Sequence, residues 1–506
     1  MSPKSQVYSC IVRVISTRFS EWNLTFHFSR IIEKYLEGKD FAVLNTEMKE
    51  QSALLGASIV KRLIEDINRM LRESRERREK GWYVVKDDTR SLLTSLGDVC
   101  FKRTLFINHR TGERAYLADR MLCLSPRERM TEDAVAQMLK EAVETCYRKG
   151  GEASSILGSV SKETVKEKIH GLVFPKEKDL PVEEKKKECS YLYIEADEDH
   201  VSLQFHEKRG DLKTNENGYK DNTVLEKLVY VHEGVEKENP KGVRNRLINA
   251  HYFAGGYPGE ENKELAEEIY EYLDRTYDLE KVKKIYLSAD GGSWIKGLRD
   301  RIPGVTYVLD EFHMQKYLRK MTGHLLDSAE DARAELRRLI RKGKKSAFRD
   351  YAEELCSYAE KENTAKAVEE GKRYILDNWQ AAVTRLKEKG IVYGCSAEGH
   401  VSHLLSSRMS SRPMGWSVKG ADCMAHLRAY EENGCSMLKL VKMQPQAIEA
   451  AKAAGAEDMI IFSAEEVNRW EERYHKKDGK YFDVIQAGIS AETRKKAWFK
   501  ANITWL

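Results

Sequence analysis

The stretch YLYIEADEDHVSLQFH, residues 191–206, decides how the rest of this 506-residue chain is read. YLYIEAD is an apolar and aromatic run interrupted by Glu195 and closed by Asp197, which predicts a strand with an acid at its end. HVSLQFHE follows as a second strand, and after a polar Gly-Asn loop VLEKLVYVHEGV supplies a third. Residues 262–276 then place Leu265, Ile269, Tyr270 and Leu273 at helical spacing. KKIYLSAD and VTYVLD give a fourth and a fifth strand, the latter running directly into a helix from Glu311. Strands, a crossover helix and further strands predict a mixed α/β sheet covered by helices. Ligands of such sheets gather beyond the carboxyl ends of the strands.

Three acids occupy such places. Asp197 closes the first strand. Asp290 follows IYLSA and precedes Gly291-Gly292, where glycines suit a tight exit and close backbone approach. Glu398 lies just after Ser396, a residue suited to a helix N-cap, and so starts a helix. Buried in mid-sheet a lone carboxylate is costly, whereas at a strand end beside a cation it is tolerated. Carboxylates suit hard Mg²⁺ or Mn²⁺, whose shells water and substrate phosphate complete. Two such ions roughly 3.5–4 Å apart activate the attacking oxygen and stabilise the leaving oxygen of a phosphodiester. Each acid also has an ordinary reading, since Asp is common in turns and Glu suits the first turn of a helix. Adjacent strand residues face opposite ways, so Asp199 can share the face of Asp197 and Glu198 cannot. Asp310, at the end of the fifth strand, competes with Asp290 for the second position.

Elsewhere the chain divides by composition. Residues 1–85 read as a helical region in which Leu54, Leu55, Ile59, Leu63, Ile64 and Ile67 form one stripe. Residues 86–125 read as a small β-hairpin region turning at His109-Arg110-Thr111-Gly112, and 126–174 as a helix-turn-helix-like DNA-binding domain. Residues 175–190 are a charged linker with two prolines. The catalytic domain takes in 191–329 and 390–430, interrupted by a helical insertion at 330–389 and followed by a C-terminal region at 431–506. A net charge of +5, from 86 basic and 81 acidic residues, is too small to argue nucleic-acid binding by itself. Nucleic-acid binding would rest on local groups instead. Ser161, Lys162, Thr164 and Lys166 would open a recognition helix, with helix packing as the competing reading. His313 and Lys316 lie one turn apart and can meet one phosphate. Arg408, Arg412 and Lys419 suit phosphate, and Trp416 can stack on a base or simply anchor its loop. Nine dispersed cysteines without a CxxC pair fit reduced cytoplasmic thiols, and no apolar segment near the start is long enough for a membrane span.

YIEADEDHVSLQ, LSADGGSWIKG with VLDEFHMQKYL, and CSAEGHVSHLLSSRMSSRPMGWS together resemble transposases of the ISLre group of bacterial insertion sequences, in the RNase H-like DDE superfamily. The resemblance runs over nearly the whole chain. It implies an RNase H-like mixed-sheet catalytic domain with an all-helical insertion, preceded by a mainly helical DNA-binding region. Asp197, Asp290 and Glu398 match the triad, with Asp310 and His313 in the adjacent segment. It further implies Mg²⁺ or Mn²⁺ as cofactor and double-stranded DNA as partner, both terminal inverted repeats and target. Water would release a 3′ hydroxyl that then attacks target DNA, within a homo-oligomer on DNA in the cytoplasm, associated with the nucleoid. A transposition-inactive DNA-binding relative and a stand-alone metal-dependent nuclease are the alternatives, and a helical interaction protein would be favoured if the acids lay far apart.

Overall fold

The computed structural model describes residues 40–454, apart from 181–184, 206–212, 215–219, 243 and 413, together with Arg469. The start of the expected helical region, residues 1–39, and most of the expected C-terminal region, residues 455–468 and 470–506, lie outside these residues. The described residues form two compact units, one of residues 40–137, 152–160 and 441–454, the other drawn from 138–151 and 161–440.

In the first unit a long helix, α1 (Phe41–Glu73), packs on a three-stranded antiparallel sheet of β1 (Trp82–Leu93), β2 (Asp98–Asn108) and β3 (Arg114–Tyr116). The expected turn at 109–112 does join β2 to β3. Asp40 caps α1 by accepting from Ala42 N at 2.8 Å. The buried stripe of α1 holds Ala57 and Ile64 against Phe101, and Ile67 and Leu71 against Phe106, while Leu54 is exposed. The small residues take the sheet side because the helix comes close there. A β-carbon on Gly56 would stand 2.7 Å from Leu96.

The second unit is built on a five-stranded mixed sheet. Its strands are β4 (Tyr191–Ser202), β5 (Thr223–His232), β6 (His251–Gly255), β7 (Lys284–Ala289) and β8 (Val305–Leu309), in the order β6-β5-β4-β7-β8. β4 runs antiparallel to β5, and β5 to β6; β7 is parallel to both β4 and β8. YLYIEAD and HVS are thus one strand, because nothing between Asp197 and His200 turns the chain. The third strand of the meander is HYFAG, which the reading of the sequence left out.

One face of this sheet carries Leu192, Ile194, Ala196, Val229, Val231, Leu287 and Leu309. They join a single core with helices α2 (Asn262–Thr276), α3 (Ser293–Arg301) and α4 (Glu311–Thr322). The insertion is all-helical, with α5 (Ala329–Arg341), α6 (Lys345–Ser357), α7 (Glu362–Asp377) and α8 (Trp379–Lys387), and its apolar residues belong to the same core. The opposite face carries Tyr193, Glu195, Asp197 and Asp199 on β4 by the period of two. Against it lies the segment of α9 (Ala397–Val401), a π-helical turn (Ser402–Ser406) and a short helix Ser407–Met409, followed by α10 (Val418–Glu432) beside β5 and β6. The expected linker is anchored at its start, where buried Glu177 accepts from Arg275 Nη2 at 2.6 Å. Among the described residues no helix is long and apolar enough to cross a membrane.

Candidate active site

Register brings two of the three acids together. Ser288 pairs with Glu195 in the parallel ladder, so two residues further on Asp290 comes level with Asp197 on the same face. Ala289 pairs with Leu309, and Asp310 N donates to Ala289 O at 2.9 Å, which places Asp310 next along. Asp197 does not end its strand as expected, since β4 goes on pairing with β5 to Ser202. On the β7 side, however, pairing stops at Glu195, so Asp197 stands just past the end of the parallel ladder.

The electrostatics follow from this crowding. Burial first, then the charges of Asp290 and Glu198, push the Asp197 carboxyl up to about 6, against the opposing pull of its bond from Glu198 N–H and of His313. Asp290 accepts from Gly292 N at 2.9 Å, which folds the turn back on its own side chain. Gly291 within that turn has φ +105°, and a β-carbon there would meet Asn378 Nδ2 at 3.2 Å. Tyr374 on α7 donates to Asp290 O. The insertion therefore supports the second acid directly, through residues that the reading of the sequence did not single out.

Asp310 has a separate task. It is buried, caps α4 by accepting from His313 N at 3.1 Å, and takes His313 Nδ1 at 2.9 Å. Burial opposes its charge, yet His313 and the main-chain N–H groups of His313 and Phe312 hold it below the usual carboxylate range. The same bond raises His313 above the usual imidazole value against its burial, with Asp290 adding to the rise. With Asp310 committed to His313, Asp290 is the acid that acts on Asp197.

Glu398 is exposed in the first turn of α9, and α9 packs against β4. Ser396 sits at the N-cap position but does not cap. Its hydroxyl goes to Glu195 Oε2 at 3.1 Å and lies 2.9 Å from the Tyr230 hydroxyl. Among the described residues no three His, Cys, Asp or Glu side chains already converge as a ligand set. Two adjacent carboxylates, one of them half-buried and strained by the other's charge, still suit a hard divalent cation whose other ligands are water and substrate.

The remaining expected contacts divide by exposure. Ser161 caps the helix Lys162–His170 by accepting from Thr164 N at 3.2 Å, with Lys162 and Lys166 exposed on it while Val165 and Ile169 are buried. Lys316, Arg412 and Lys419 are also exposed. Arg408 and Trp416 are not surface groups. Arg408 is buried, donates to Ala142 O at 3.2 Å and lies over the Trp416 ring, whose Nε1 donates to Met409 O at 3.0 Å. Both residues are spent on packing, because their N–H groups are taken up by the main-chain oxygens of Ala142 and Met409.

The fold and site describe a mixed-sheet domain with paired acids just past the end of its parallel ladder. By sequence the chain belongs to the uncharacterised protein family UPF0236, whose profile matches residues 35–447. Relatives in Caldanaerobacter subterraneus subsp. tengcongensis include a UPF0236 protein carried under eleven locus names, 34% identical over 414 residues, 81% of this chain and 82% of the relative. The UPF0236 protein TTE2489 is 34% identical over 399 residues, 79% and 80% of the two chains. A third, under four locus names, is 33% identical over 432 residues, 85% of each.

Proposed function

We propose that this protein is a DNA transposase of the RNase H-like DDE class, cutting and joining phosphodiesters at insertion-sequence ends. The observation that carries the reading is the level placement of Asp197 and Asp290 on neighbouring parallel strands. Three further features support it. The central first strand, an antiparallel meander on one side and parallel strands on the other form the order expected of an RNase H-like sheet. An all-helical insertion separates β8 from the helix bearing Glu398. A relative recurring under eleven locus names in one genome behaves as the product of a self-copying element would.

In this reading Asp197 and Asp290, with Glu398 from α9, would hold Mg²⁺ or Mn²⁺, which when bound supplies charge neutralisation at the reacting phosphate. Asp310 fixes the ring of His313 and raises its hold on a proton, and the ring when protonated balances the two acids and holds a phosphate oxygen. Lys316, one turn on, adds a second positive charge. Arg412, Lys419 and the Ser161–Lys166 helix start meet the DNA backbone.

The test is cleavage of double-stranded DNA carrying the ends that flank the gene, with Mg²⁺ or Mn²⁺. Asp197→Asn, Asp290→Asn and Glu398→Gln are each expected to abolish release of a 3′ hydroxyl while end-specific binding persists. Full cleavage by any one variant removes that residue from the triad. Cleavage without joining to a second duplex would identify a nuclease instead.

A further inference from the structure

β4 presents three acids on one face, at 195, 197 and 199, and the outer two are occupied in the same way. Glu195 is 2% exposed. Its Oε2 accepts from Ser396 N at 2.7 Å and Ser396 Oγ at 3.1 Å, and the Tyr230 hydroxyl donates to it as well. Its Oε1 lies 3.4 Å from His232 Nε2. Burial opposes its charge, but these partners hold it below the usual carboxylate range. Two residues on from Glu398, His400 Nδ1 lies 3.1 Å from the Tyr252 hydroxyl on β6. At the other end of the same segment Ser410 Oγ donates to Asp199, 2.8 and 3.1 Å from its two oxygens. Beyond it the main chain itself joins β4, Trp416 N donating to Ser202 O at 2.9 Å and Gln204 N to Trp416 O at 2.8 Å.

We infer that Glu195 and Asp199 are positioning residues which clasp the Glu398-bearing segment 396–410 along β4, leaving Asp197 between them as the reactive acid. The inference rests on the transposase reading for the role of Glu398, and on geometry alone for the clasp. A buried carboxylate is a costly way to dock a helix when an apolar side chain would pack as well. What it adds is direction, since several convergent hydrogen bonds fix both the height and the rotation of the helix start. The π-helical turn at Ser402–Ser406 lies between the clasps, where its wider winding changes the phase of the residues after it. Such supporting bonds commonly matter 10- to 100-fold in metal affinity or activity.

The experiment compares the full-length wild type with Ser410→Ala, Asp199→Ala, the double variant and Ser410→Thr by amide hydrogen exchange and Mn²⁺-dependent cleavage of end DNA. Both single variants are expected to speed exchange across 396–410 and lower kcat by roughly 10- to 100-fold, with KM for DNA and Tm unchanged. The double variant loses no more than the worse single one, and Ser410→Thr, which keeps the hydroxyl, recovers most of the loss. Unchanged exchange, losses that multiply, or kcat falling only in step with Tm would overturn the inference. If the wild type cleaves nothing, the transposase reading fails, while the exchange measurement still decides the clasp.

Discussion

At the scale of single residues, burial raises two carboxyls, Asp197 and Glu226, with different consequences for the response to pH. Asp197, pushed up to about 6 by burial and by Asp290, takes up a proton just below neutrality, and a proton there competes with a cation. Mn²⁺ affinity is therefore expected to fall about tenfold per pH unit below pH 6 and to level off above it, as followed by calorimetry. A flat profile from pH 5 to 8 would detach Asp197 from the cation. Glu226 on β5 is fully buried, neither carboxylate oxygen has a hydrogen-bond partner among the described residues, and burial followed by the charge of Asp422 pushes it from about 4.5 to about 8. The folded state keeps this proton to higher pH than the unfolded chain does, so stability falls as pH rises from about 4.5 to about 8. Glu226→Gln, neutral throughout, is expected to flatten that fall and to add on the order of 1–3 kcal/mol at pH 8, measured by urea unfolding. A variant less stable than the wild type at pH 8 would show the carboxylate to be partnered. Asp197 and Asp290 were legible in the sequence because each follows an apolar run and the second precedes glycines. Glu226 was not, since its neighbour Asp422 comes from α10, nearly two hundred residues on. Glu195 escaped for the same reason: only the folded chain brings Ser396 to it.

Among the elements, the insertion does more than lengthen the chain. α7 lies against α4 with Tyr374 stacked on Tyr317, ring centroids 3.8 Å apart, and its hydroxyl reaches Asp290 O. Gly371 makes that approach possible, because a β-carbon there would stand 2.5 Å from Met321 Cγ and 3.1 Å from Tyr317 O. Gly371→Ala is expected to cost about 1–3 kcal/mol through overpacking and to lower cleavage further than its stability loss explains, as the Asp290 turn moves. Unfolding at an unchanged urea midpoint would show that the two helices separate freely. The insertion itself was evident from sixty residues of charged, helix-forming sequence between a strand and the Glu398 helix. Its contact with Asp290 was not, because Tyr374 and Asn378 look like any helix residues until α7 is docked. Arg408 and Trp416 show the opposite case, surface chemistry in the sequence that the chain turns inward.

For the whole molecule, the order β6-β5-β4-β7-β8 determines which acids can meet. β4, β5, β7 and β8 are legible as apolar runs, but β4 reads as two strands and β6 does not stand out. Asp197 to His200 is polar enough to resemble a turn, whereas β6 is short and its apolar text HYFAG carries no alternation. These errors leave the pairing of β4 with β7 unaffected, which is why the first two acids stand level. If the paired acids hold a cation, Mg²⁺ or Mn²⁺ at saturating concentration raises the apparent stability of the wild type, by about 2.7 kcal/mol at a hundred times Kd, and does nothing for the Asp197→Asn/Asp290→Asn double variant. Equal shifts in both proteins would place the ion elsewhere. The most direct measurement is anomalous diffraction from crystals soaked in Mn²⁺. Cation binding by the paired acids predicts a peak beside the carboxylates of Asp197 and Asp290, absent from Asp197→Asn crystals. No peak there, or one that persists unchanged in the variant, would contradict it.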